Sequence, residues 1–424
     1  MNILIIGAGS RESAIGWSLY KSPHKPNLYF SPGNSGTVQY GENLPINIEK
    51  LEELVLLSKE KKIDLVIVGP FSYIKKGAGE LFREAGIAVF SPTLEASEIE
   101  NSKVFSKKLL NDLNIPTAKS FIAYSMDLAQ DFLKTSTYPL VMKTDSPVPG
   151  IGVEIINNYE QANYFLENCF SEKIFGLAGK IVVIEEFLEG IEISAHAFCD
   201  GKTAVMMPFS QDHKKLFDND KGPNTSGIGA VAPILNTNKE LLNDIKNKVI
   251  EPILMAMSKQ GRPFVGVMYP GIMITKEGWK VLEINARFGD PEAVCYMRLL
   301  QTDLYDIISA CILGNLESTS IKWLDKYTCS IVLTTDDYSG KTFKAGQQIQ
   351  GLTNIKEEDS TIIFHGETSL ENDYPITVGS RVACISSVEP TLKQAVESAY
   401  KKINDVTYNG KHYRNDIGTK ALSL

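Results

Sequence analysis

Glu283-Ile284-Asn285-Ala286-Arg287-Phe288-Gly289-Asp290-Pro291-Glu292 places oxygen ligands and a cation on one short segment. Residues 279–282 before it predict a strand, whose alternation puts Glu283, Asn285 and Arg287 on one face. Leu282 and Ile284 are expected to face the core. A carboxylate and an amide oxygen at this spacing suit Mg2+, which takes few protein ligands and fills its shell with water and phosphates. Arg287 would hold an anion beside them. Taken alone, the motif is equally consistent with an amphipathic strand that runs into a polar turn.

The composition indicates a multidomain protein without a basic surface. The chain has 424 residues, 43% of them hydrophobic, which suggests two to four domains of about 100–200 residues. The formal net charge of −8, from 43 Lys and Arg against 51 Asp and Glu, argues against nucleic acid as a partner. No apolar run approaches the ~20 residues that cross a bilayer, so we expect a cytoplasmic protein without membrane contact. The six cysteines form no C-x-x-C pair, which argues against a cysteine zinc site.

Strand and helix patterns alternate from the N-terminus to about residue 100. The predicted strands are 2–6, 27–30, 64–68 and 88–90, and the predicted helices are 12–21, 48–61 and 78–85. This order predicts a parallel sheet, which binds ligands beyond the carboxyl ends of its strands. The candidate substrate contacts are therefore the loops 7–11, 31–37 and 69–73.

The first of these loops reads Gly7-Ala8-Gly9-Ser10-Arg11-Glu12. It lacks the third glycine of a dinucleotide fingerprint, and the next predicted strand ends without the acid expected for a ribose, so NAD binding is not expected. The glycines still free backbone N–H groups at a helix start, which suits a phosphate. A merely tight turn is the alternative.

Two lysines in the middle of the chain are candidates to neutralise the phosphates of a nucleoside triphosphate. Lys103 lies on a predicted helix at 99–113. Lys143 ends an apolar strand at 138–143, which a hairpin loop joins to a return strand at 153–156. Exposure to solvent is the usual state of a lysine. Because the strand before Lys143 is apolar on both faces, we expect this lysine to face a cleft and the loop to lie over phosphates.

An acidic segment follows the apolar strand at 181–185. This segment, Glu185-Glu186-Phe187-Leu188, is predicted to be an edge strand that turns into a connector. Its backbone groups would bind an adenine, and Glu192 would bind the ribose hydroxyls. An acidic edge strand is more often only solvated. More specific are Gln211-Asp212-His213-Lys214 and the Gly-rich residues 222–229, whose small residues free backbone donors near a reacting anion. A Gly-rich hairpin is the alternative for the second segment.

With these residues the chain resembles the phosphoribosylamine–glycine ligase family of the ATP-grasp superfamily, as a divergent member. The resemblance extends over the whole chain, and its blocks are 31–37, 101–103, 211–214, 222–225, 283–292 and 414–418. It implies an α/β and α+β multidomain fold. The implied parts are an N-terminal parallel-sheet domain (1–100), an ATP-grasp core (101–327) with a mobile lid at about 117–188, and a small C-terminal α+β domain (328–424).

The resemblance also implies roles for individual residues. ATP and Mg2+ or Mn2+ are the expected cofactors, with the metal held by Glu283 and Asn285. The residues expected to bind ATP are Lys103, Lys143, Gly150, Gly152, Glu185, Glu186, Phe187, Leu188 and Glu192. Those expected to be catalytic are Asp212, Lys214, Asn224, Thr225, Arg287 and Asp290. Those expected to bind substrate are Gly9, Arg11, Glu12, Asn34, Gly36, Thr37, Pro70, Phe71 and Gly289.

The implied reaction uses ATP to phosphorylate the carboxylate of glycine, after which the amine of 5-phosphoribosylamine attacks the acyl phosphate. The products are glycinamide ribonucleotide, ADP and phosphate, as part of purine biosynthesis. Phosphoryl transfer requires positioning and charge neutralisation more than a nucleophilic side chain, and a lid would keep water from the acyl phosphate. The expected partners are small molecules, an amino acid and a phosphorylated amine, and the chain is expected to be a monomer or weak homodimer.

Five places in the chain depart from the family pattern, one of them the block 335–339. Ser13 stands where the family usually has histidine, Phe71 and Ile191 where it usually has glutamate, and Ile151 where it usually has lysine. The differences fall on presumed ligand contacts, whereas the metal residues are kept. They leave open a paralogue that joins another amino acid or amine, and a catalytically silent nucleotide-binding homologue. The complete metal pair speaks against the silent homologue.

Overall fold

The structure is a computed structural model that describes residues 1–148, 151–234, 239–336, 338, 344–352 and 360–423. Within these residues the strands form four larger sheets and two two-stranded hairpins. Buried apolar side chains gather in four clusters between the sheets and helices. Among the described helices, none has the length and apolar character that crossing a membrane requires.

The N-terminal sheet is entirely parallel, as the alternating pattern predicts. Its strands, in spatial order, are Gly41–Asn43, Asn27–Pro32, Asn2–Gly7, Leu65–Val68 and Ala88–Phe90. The first strand is buried on both faces, because Ile3 and Ile5 join one apolar cluster and Leu4 and Ile6 join another. The helices of this region are Ser10–Tyr20, Leu51–Glu60, Phe71–Lys75 and Ala78–Glu84.

The prediction of a loop at 69–73 is wrong for the residues after Pro70. A five-residue helix, Phe71–Lys75, begins there, with the extended Pro70 at its N-cap. A helix of this length shows too few turns for its period to be recognised in the sequence. Phe71 is consequently held at a helix start, and its ring packs partly buried against two of the apolar clusters.

The single helix predicted at 99–113 is two helices, Glu98–Asn101 and Lys103–Asp112. The break is at Ser102, whose backbone is extended and whose Oγ accepts the N–H of Phe105 at 3.0 Å. The same hydroxyl donates to Oδ1 of Asp145 at 3.0 Å. A serine N-cap therefore starts a second helix and places Lys103 in its first turn.

Residues 117–188, predicted as a lid, contain a four-stranded antiparallel sheet with its own apolar cluster. Its strands, in spatial order, are Ser120–Ala123, Val182–Glu186, Leu140–Thr144 and Val153–Ile156, and its helices are Met126–Leu133 and Tyr159–Leu166. The predicted hairpin around residues 144–152 is confirmed. The predicted edge position of Glu185 is wrong, because Val182–Glu186 pairs on both sides and its second partner lies far earlier in the chain.

The central antiparallel sheet contains the strand that leads into the segment 283–292. Its strands are Ile191–Ser194, Val265–Thr275, Ala197–Asp200, Ala204–Met206 and Gly278–Asn285. Buried side chains of this sheet form one apolar cluster with those of the helices Lys239–Ile245 and Glu251–Lys259. Gly271 pairs with Glu283 and Ile272 with Val281, which leaves Leu282 in a bulge. The expectation that Leu282 faces the core is therefore wrong, and it lines a cavity instead. Ile284 is buried as expected.

The last sheet crosses the predicted boundary at residue 328. Its strands, in spatial order, are Gln211–Asp212, Gly229–Ala232, Tyr327–Thr335, Arg381–Glu389 and Thr361–His365, with Lys411–His412 beside the third. Two strands of the middle region thus complete the C-terminal sheet, and the division of the chain at 100 and 327 stays a prediction. The remaining helices are Glu292–Leu299, Leu304–Leu313, Leu392–Ile403 and Thr419–Leu422, and the two hairpins pair Lys215–Phe217 with Lys221–Asn224 and Thr368–Glu371 with Tyr374–Thr377.

Candidate active site

Two adjoining cavities, of about 510 Å³ and about 200 Å³, lie where the N-terminal, middle and C-terminal sheets approach one another. The face predicted to carry Glu283, Asn285 and Arg287 lines both cavities. Of the other predicted site residues, those on the cavity walls are Arg11, Pro70, Phe71, Lys103, Gly152, Glu185, Asp212, Lys214, Asn224, Thr225 and Asp290. Those placed behind or beside these walls are Gly9, Glu12, Asn34, Gly36, Thr37, Lys143, Glu186, Phe187, Leu188, Glu192 and Gly289. Gly150 lies outside the described residues.

The predicted metal ligands present ionised and neutral oxygens on one wall. Oε1 of Glu283 lies 3.3 Å from Nζ of Lys214, which also pairs with Glu192. The Lys214 ammonium, assisted by Lys143 and Lys103, outweighs burial and lowers the pKa of Glu283 to about 2. Oδ1 of Asn285 accepts from Nη2 of Arg287 at 3.1 Å and keeps a second lone pair. A carboxylate held ionised beside an amide oxygen fits the oxygen ligands that Mg2+ and Mn2+ take.

Arg287 is oriented by an acid that the sequence analysis missed. Its Nη2 lies 3.4 Å from Oε1 of Glu100, whose Oε2 accepts the N–H of Ala286 at 2.5 Å. Burial is the largest influence and opposes the charge on Arg287, but Glu100, Tyr269, Glu292 and Glu283 together outweigh burial, so the pKa of Arg287 is raised. The guanidinium therefore stays charged on the cavity wall, suited to an anionic substrate group.

Glu185 joins two lysines. Its Oε2 lies 2.9 Å from Nζ of Lys143, and its Oε1 lies 3.1 Å from Nζ of Lys107. Lys107 was not predicted as a site residue, although it follows Lys103 by four positions on one helix and therefore shares its face. Burial lowers the pKa of Lys107 to about 8, against the opposing effect of Glu185. Lys103 and Lys107 both line the larger cavity, and Nζ of Lys103 lies 3.3 Å from the carbonyl of Asp145.

Glu186 is engaged by neighbouring strands. Its N–H donates to the carbonyl of Lys119 at 3.0 Å, and its Oε1 lies 3.0 Å from Nζ of Lys280. The connector residues Phe187 and Leu188 follow it, and their binding of an adenine stays a prediction.

Gly152 is required on steric grounds, because an added Cβ would lie 2.7 Å from Oγ1 of Thr144.

At the first helix start, where a phosphate is a candidate ligand, a carboxylate of the chain accepts one backbone N–H group. Oε2 of Glu12 accepts the N–H of Gly9 at 2.8 Å, and its Oε1 accepts Nε of Arg11 at 2.6 Å. Glu12, at the third helical position, thus folds back onto the cap, as the alternative of a tight turn allows, and phosphate binding at this helix start stays a prediction. Arg11 also donates through Nη1 to the carbonyl of Phe288 at 3.0 Å and reaches the cavity wall.

The loop after the second strand is held by an internal network. Nδ2 of Asn34 donates to Oγ of Ser13 at 2.8 Å, and Oδ1 of Asn34 accepts the N–H groups of Gly36 and Thr37 at 2.9 and 3.1 Å. Ser13 in turn donates to the carbonyl of His365 at 2.8 Å. The structure thus assigns Asn34 and Thr37 a loop-holding role, and their contact with substrate stays a prediction. Ser13, which departs from the family pattern, belongs to this network.

The segment 211–214 contributes a carboxylate and a lysine to the smaller cavity, but not its histidine. Asp212 lines the cavity, and burial together with the nearby Glu292 raises its pKa. His213 is buried, with Nδ1 3.2 Å from the carbonyl of Gly229 and Nε2 accepting the N–H of Gly418 at 3.2 Å. His213 therefore connects two blocks of the sequence and takes no place on the wall. Of the Gly-rich segment, residues 221–224 form a hairpin strand, as the alternative allowed, and Asn224 and Thr225 reach the wall.

Two further residues fix the loop that carries Asp290. Nη2 of Arg381 lies 2.6 Å from Oδ1 of Asp290, and the same arginine lines the larger cavity. Nε2 of His196 accepts the N–H of Gly289 at 3.0 Å, and its ring stacks on Tyr269 with ring centroids 4.0 Å apart. No motif around Arg381 or His196 indicates these contacts, because both residues approach the loop only through sheet packing.

The comparisons with known proteins agree along the whole chain. Three family models match: phosphoribosylglycinamide synthetase N domain at residues 1–100, its ATP-grasp (A) domain at 101–293 and its C domain at 328–420. The phosphoribosylamine–glycine ligase of Caldanaerobacter subterraneus subsp. tengcongensis is 38% identical over 419 residues, covering 98% of this chain and 99% of that one. The enzyme of the same name from Halalkalibacterium halodurans is 37% identical over 423 residues, covering 100% and 98%.

A solved structure agrees with these matches. The crystal structure of phosphoribosylamine–glycine ligase from Thermotoga maritima superposes with a TM-score of 0.85 at 28% identity, covering 98% of this chain and 100% of that one. The fold, the order of the domain models and the full-length identity lead to one assignment. The chain belongs to the phosphoribosylglycinamide synthetase family.

Proposed function

We propose that this chain uses ATP to join glycine to 5-phosphoribosylamine, giving glycinamide ribonucleotide, ADP and phosphate. The observation that carries the proposal is the common wall formed by Glu283, Asn285 and Arg287, in a cavity that Lys103 also lines. Relatives of nearly equal length bear the name phosphoribosylamine–glycine ligase, which supports this choice of reaction.

In the first half of the reaction, a carboxylate oxygen of glycine attacks the terminal phosphorus of ATP, and the bond to ADP breaks. Glu283 and Asn285 would hold Mg2+ or Mn2+, which when bound neutralises phosphate charge. Lys103 and Lys143 supply fixed positive charge near the phosphates, and Arg287 orients the attacking carboxylate. The chain needs no nucleophile of its own, because the substrate carboxylate is the attacking group.

In the second half, the amine nitrogen attacks the acyl carbon, phosphate leaves and the nitrogen loses a proton. Asp212 is the carboxylate best suited to take that proton, because burial and Glu292 raise its pKa and it lines the smaller cavity. Arg11, Pro70 and Phe71 supply the N-terminal wall of the larger cavity, which we assign to the amine. We further propose a monomer or weak homodimer, to be checked by light scattering.

One observation favours a second candidate. Phe71 presents an apolar ring on the wall assigned to the amine, where the family usually has glutamate. A ring leaves a sugar hydroxyl without that partner, at a cost of about 1–3 kcal/mol. A ligase of the same mechanism that uses a less hydroxylated amine, or another amino acid, is therefore the runner-up.

The test is ADP release by the purified chain with ATP, Mg2+ or Mn2+, and glycine, with and without phosphoribosylamine generated in situ. The proposed function requires ADP and glycinamide ribonucleotide in equal amounts, dependent on all three substrates. A panel of other amino acids and amines, run in parallel, identifies the runner-up. Nucleotide binding without ADP release for any substrate would contradict both and indicate a catalytically silent homologue.

A further inference from the structure

A row of three buried charges, here named the charge triad, is formed by Lys107, Glu185 and Lys143. Lys107 and Glu185 line the larger cavity, and Lys143 lies next to them, with Nζ 3.5 Å from the carbonyl of the lining residue Leu282. The exposed fractions of Lys107, Glu185 and Lys143 are 3%, 2% and 5%. Oε1 of Glu185 lies 3.1 Å from Nζ of Lys107, and Oε2 of Glu185 lies 2.9 Å from Nζ of Lys143. Two ammonium groups against one carboxylate leave the triad with one net positive charge.

The two lysines differ in how much hydrogen-bonding capacity remains. Three oxygens of the chain surround Nζ of Lys107: Oγ1 of Thr117 at 2.7 Å, the carbonyl of Ala118 at 3.3 Å and Oε1 of Glu185. Hydrogen bonds to Thr117 and Ala118 use two of the three N–H donors of the Lys107 ammonium, and Oε1 of Glu185 is held beside it by charge. Nζ of Lys143 lies against Oε2 of Glu185 and, at 3.5 Å, the carbonyl of Leu282, which leaves a donor.

Removing Lys107 would lower the net charge that a ligand near Lys143 experiences. Glu185 alone with Lys143 is a neutral pair, and a buried neutral pair attracts a phosphate far less than a charge does. With Lys107 present, the Glu185 carboxylate is shared, and one positive charge remains for the phosphates. Lys107 also draws Glu185 toward the helix Lys103–Asp112, which fixes the carboxylate that positions Lys143.

We propose that Lys107 is a positioning residue that keeps Lys143 available to the phosphates of the nucleotide by compensating Glu185. The proposal rests on the proposed ATP-dependent function. It reassigns Glu185 from reading adenine to organising two cations, and it predicts that the damage caused by losing Lys107 is reversed by also neutralising Glu185.

The experiment is calorimetric titration of ATP–Mg2+ into the wild-type chain, Lys107→Met, Glu185→Gln and the double variant Lys107→Met/Glu185→Gln. Lys108→Met is the matched control, because Lys108 is the exposed neighbour on the same helix. We expect Lys107→Met to weaken binding by about tenfold or more, and the double variant to return to within about threefold of wild type, because charge pairing in a buried site is strong. Lys108→Met should bind as wild type does.

Two outcomes would overturn the proposal. If Lys107→Met binds as wild type does, Lys107 has no part in nucleotide binding. If the double variant binds no better than Lys107→Met, Lys107 acts by packing or by direct contact. Should Lys107→Met fail to fold, Lys107→Gln, which removes the charge but keeps a side-chain donor for Thr117, replaces it in both the single and the double variant, with the same expected outcomes. A wild-type chain without ATP affinity would contradict the proposed function itself, which distinguishes the two failures.

Discussion

Nζ of Lys214 lies 3.3 Å from Oε1 of Glu283, so the carboxylate predicted to bind metal is already paired with an ammonium. Lys214 comes from the segment after Gln211–Asp212, and it also pairs with Glu192 on the neighbouring strand. Because the Lys214 ammonium lowers the pKa of Glu283 to about 2, the carboxylate stays ionised under all working conditions. Glu283 would hold a metal through a carboxylate that Lys214 keeps ionised, and Lys214 has Glu192 as a second partner.

Replacing Glu283 with glutamine should abolish ligation and leave the fold intact, because the side chain neutralises charge at the cavity wall and contributes little to packing. We expect turnover to fall by about 100-fold or more. The measurement is ADP release across a Mg2+ titration, with thermal unfolding followed by circular dichroism. Glu277→Gln, in the exposed turn of the same hairpin, is the control. Turnover near that of wild type at saturating Mg2+ would remove Glu283 from the metal site.

Lys143→Ala should raise the ATP requirement and lower turnover together, by about tenfold each, since its ammonium acts on phosphates in both the ground and transition states. Lys103→Ala should have a weaker effect in the same direction. Steady-state kinetics with varied ATP measure both quantities, and Lys180→Ala, an exposed lysine of the same region, serves as the control. An unchanged KM for ATP in Lys143→Ala would leave this lysine a purely structural role in the triad.

Phe71→Glu separates the proposed reaction from its runner-up. If the substrate is phosphoribosylamine, the introduced carboxylate meets ribose hydroxyls and the apparent KM for the amine stays constant or falls. If the amine is less hydroxylated, a charge placed against an apolar ligand surface should weaken its use by roughly 1–3 kcal/mol. Product formation by wild type, Phe71→Glu and Phe71→Leu is compared, the last variant reporting on packing alone. Strong wild-type formation of glycinamide ribonucleotide would exclude the runner-up, and its formation only by Phe71→Glu would exclude the proposed reaction.

His213 should make the free energy of unfolding depend on pH in mildly acidic solution. Burial lowers its pKa to about 4, below the usual 6.5, so the unfolded chain binds more protons between these values. Stability should therefore fall as pH drops from 6.5 to 4, by at most about 3 kcal/mol from this residue. His365, whose pKa burial also lowers to about 4, adds a dependence of the same sign.

The measurement is urea denaturation at pH 7.0, which lies above that window, and at pH 4.5, which lies about one half-unit inside its lower end. His213→Gln should flatten the dependence, because a glutamine amide can donate to Gly229 and accept from Gly418 without titrating. His24→Gln, at an exposed histidine, should leave it unchanged. An equal pH dependence in His213→Gln and wild type would place the titration elsewhere.

Local patterns along the chain were sufficient for the first sheet, the hairpin around residues 144–152 and the shared face of Glu283, Asn285 and Arg287. Each depends on a period of two or on alternating strand and helix patterns, which neighbouring residues express regardless of what packs on them. Lys107 could have been predicted as a site residue for the same reason, because it lies one helical turn after Lys103.

Contacts between distant segments were decided only when the sheets packed. Ser120–Ala123 became the second partner of the strand that carries Glu185, which removed the expected edge and turned the carboxylate toward two lysines. Arg381 reaches Asp290 across 91 residues, and Glu100 reaches Ala286 across 186. Glu12 accepts the N–H of Gly9 at the helix start where a phosphate is a candidate ligand, a contact that the glycine pattern did not indicate. Periodicity encodes which face of an element is buried, but the partner that each polar side chain meets there depends on non-local packing, which no local pattern carries.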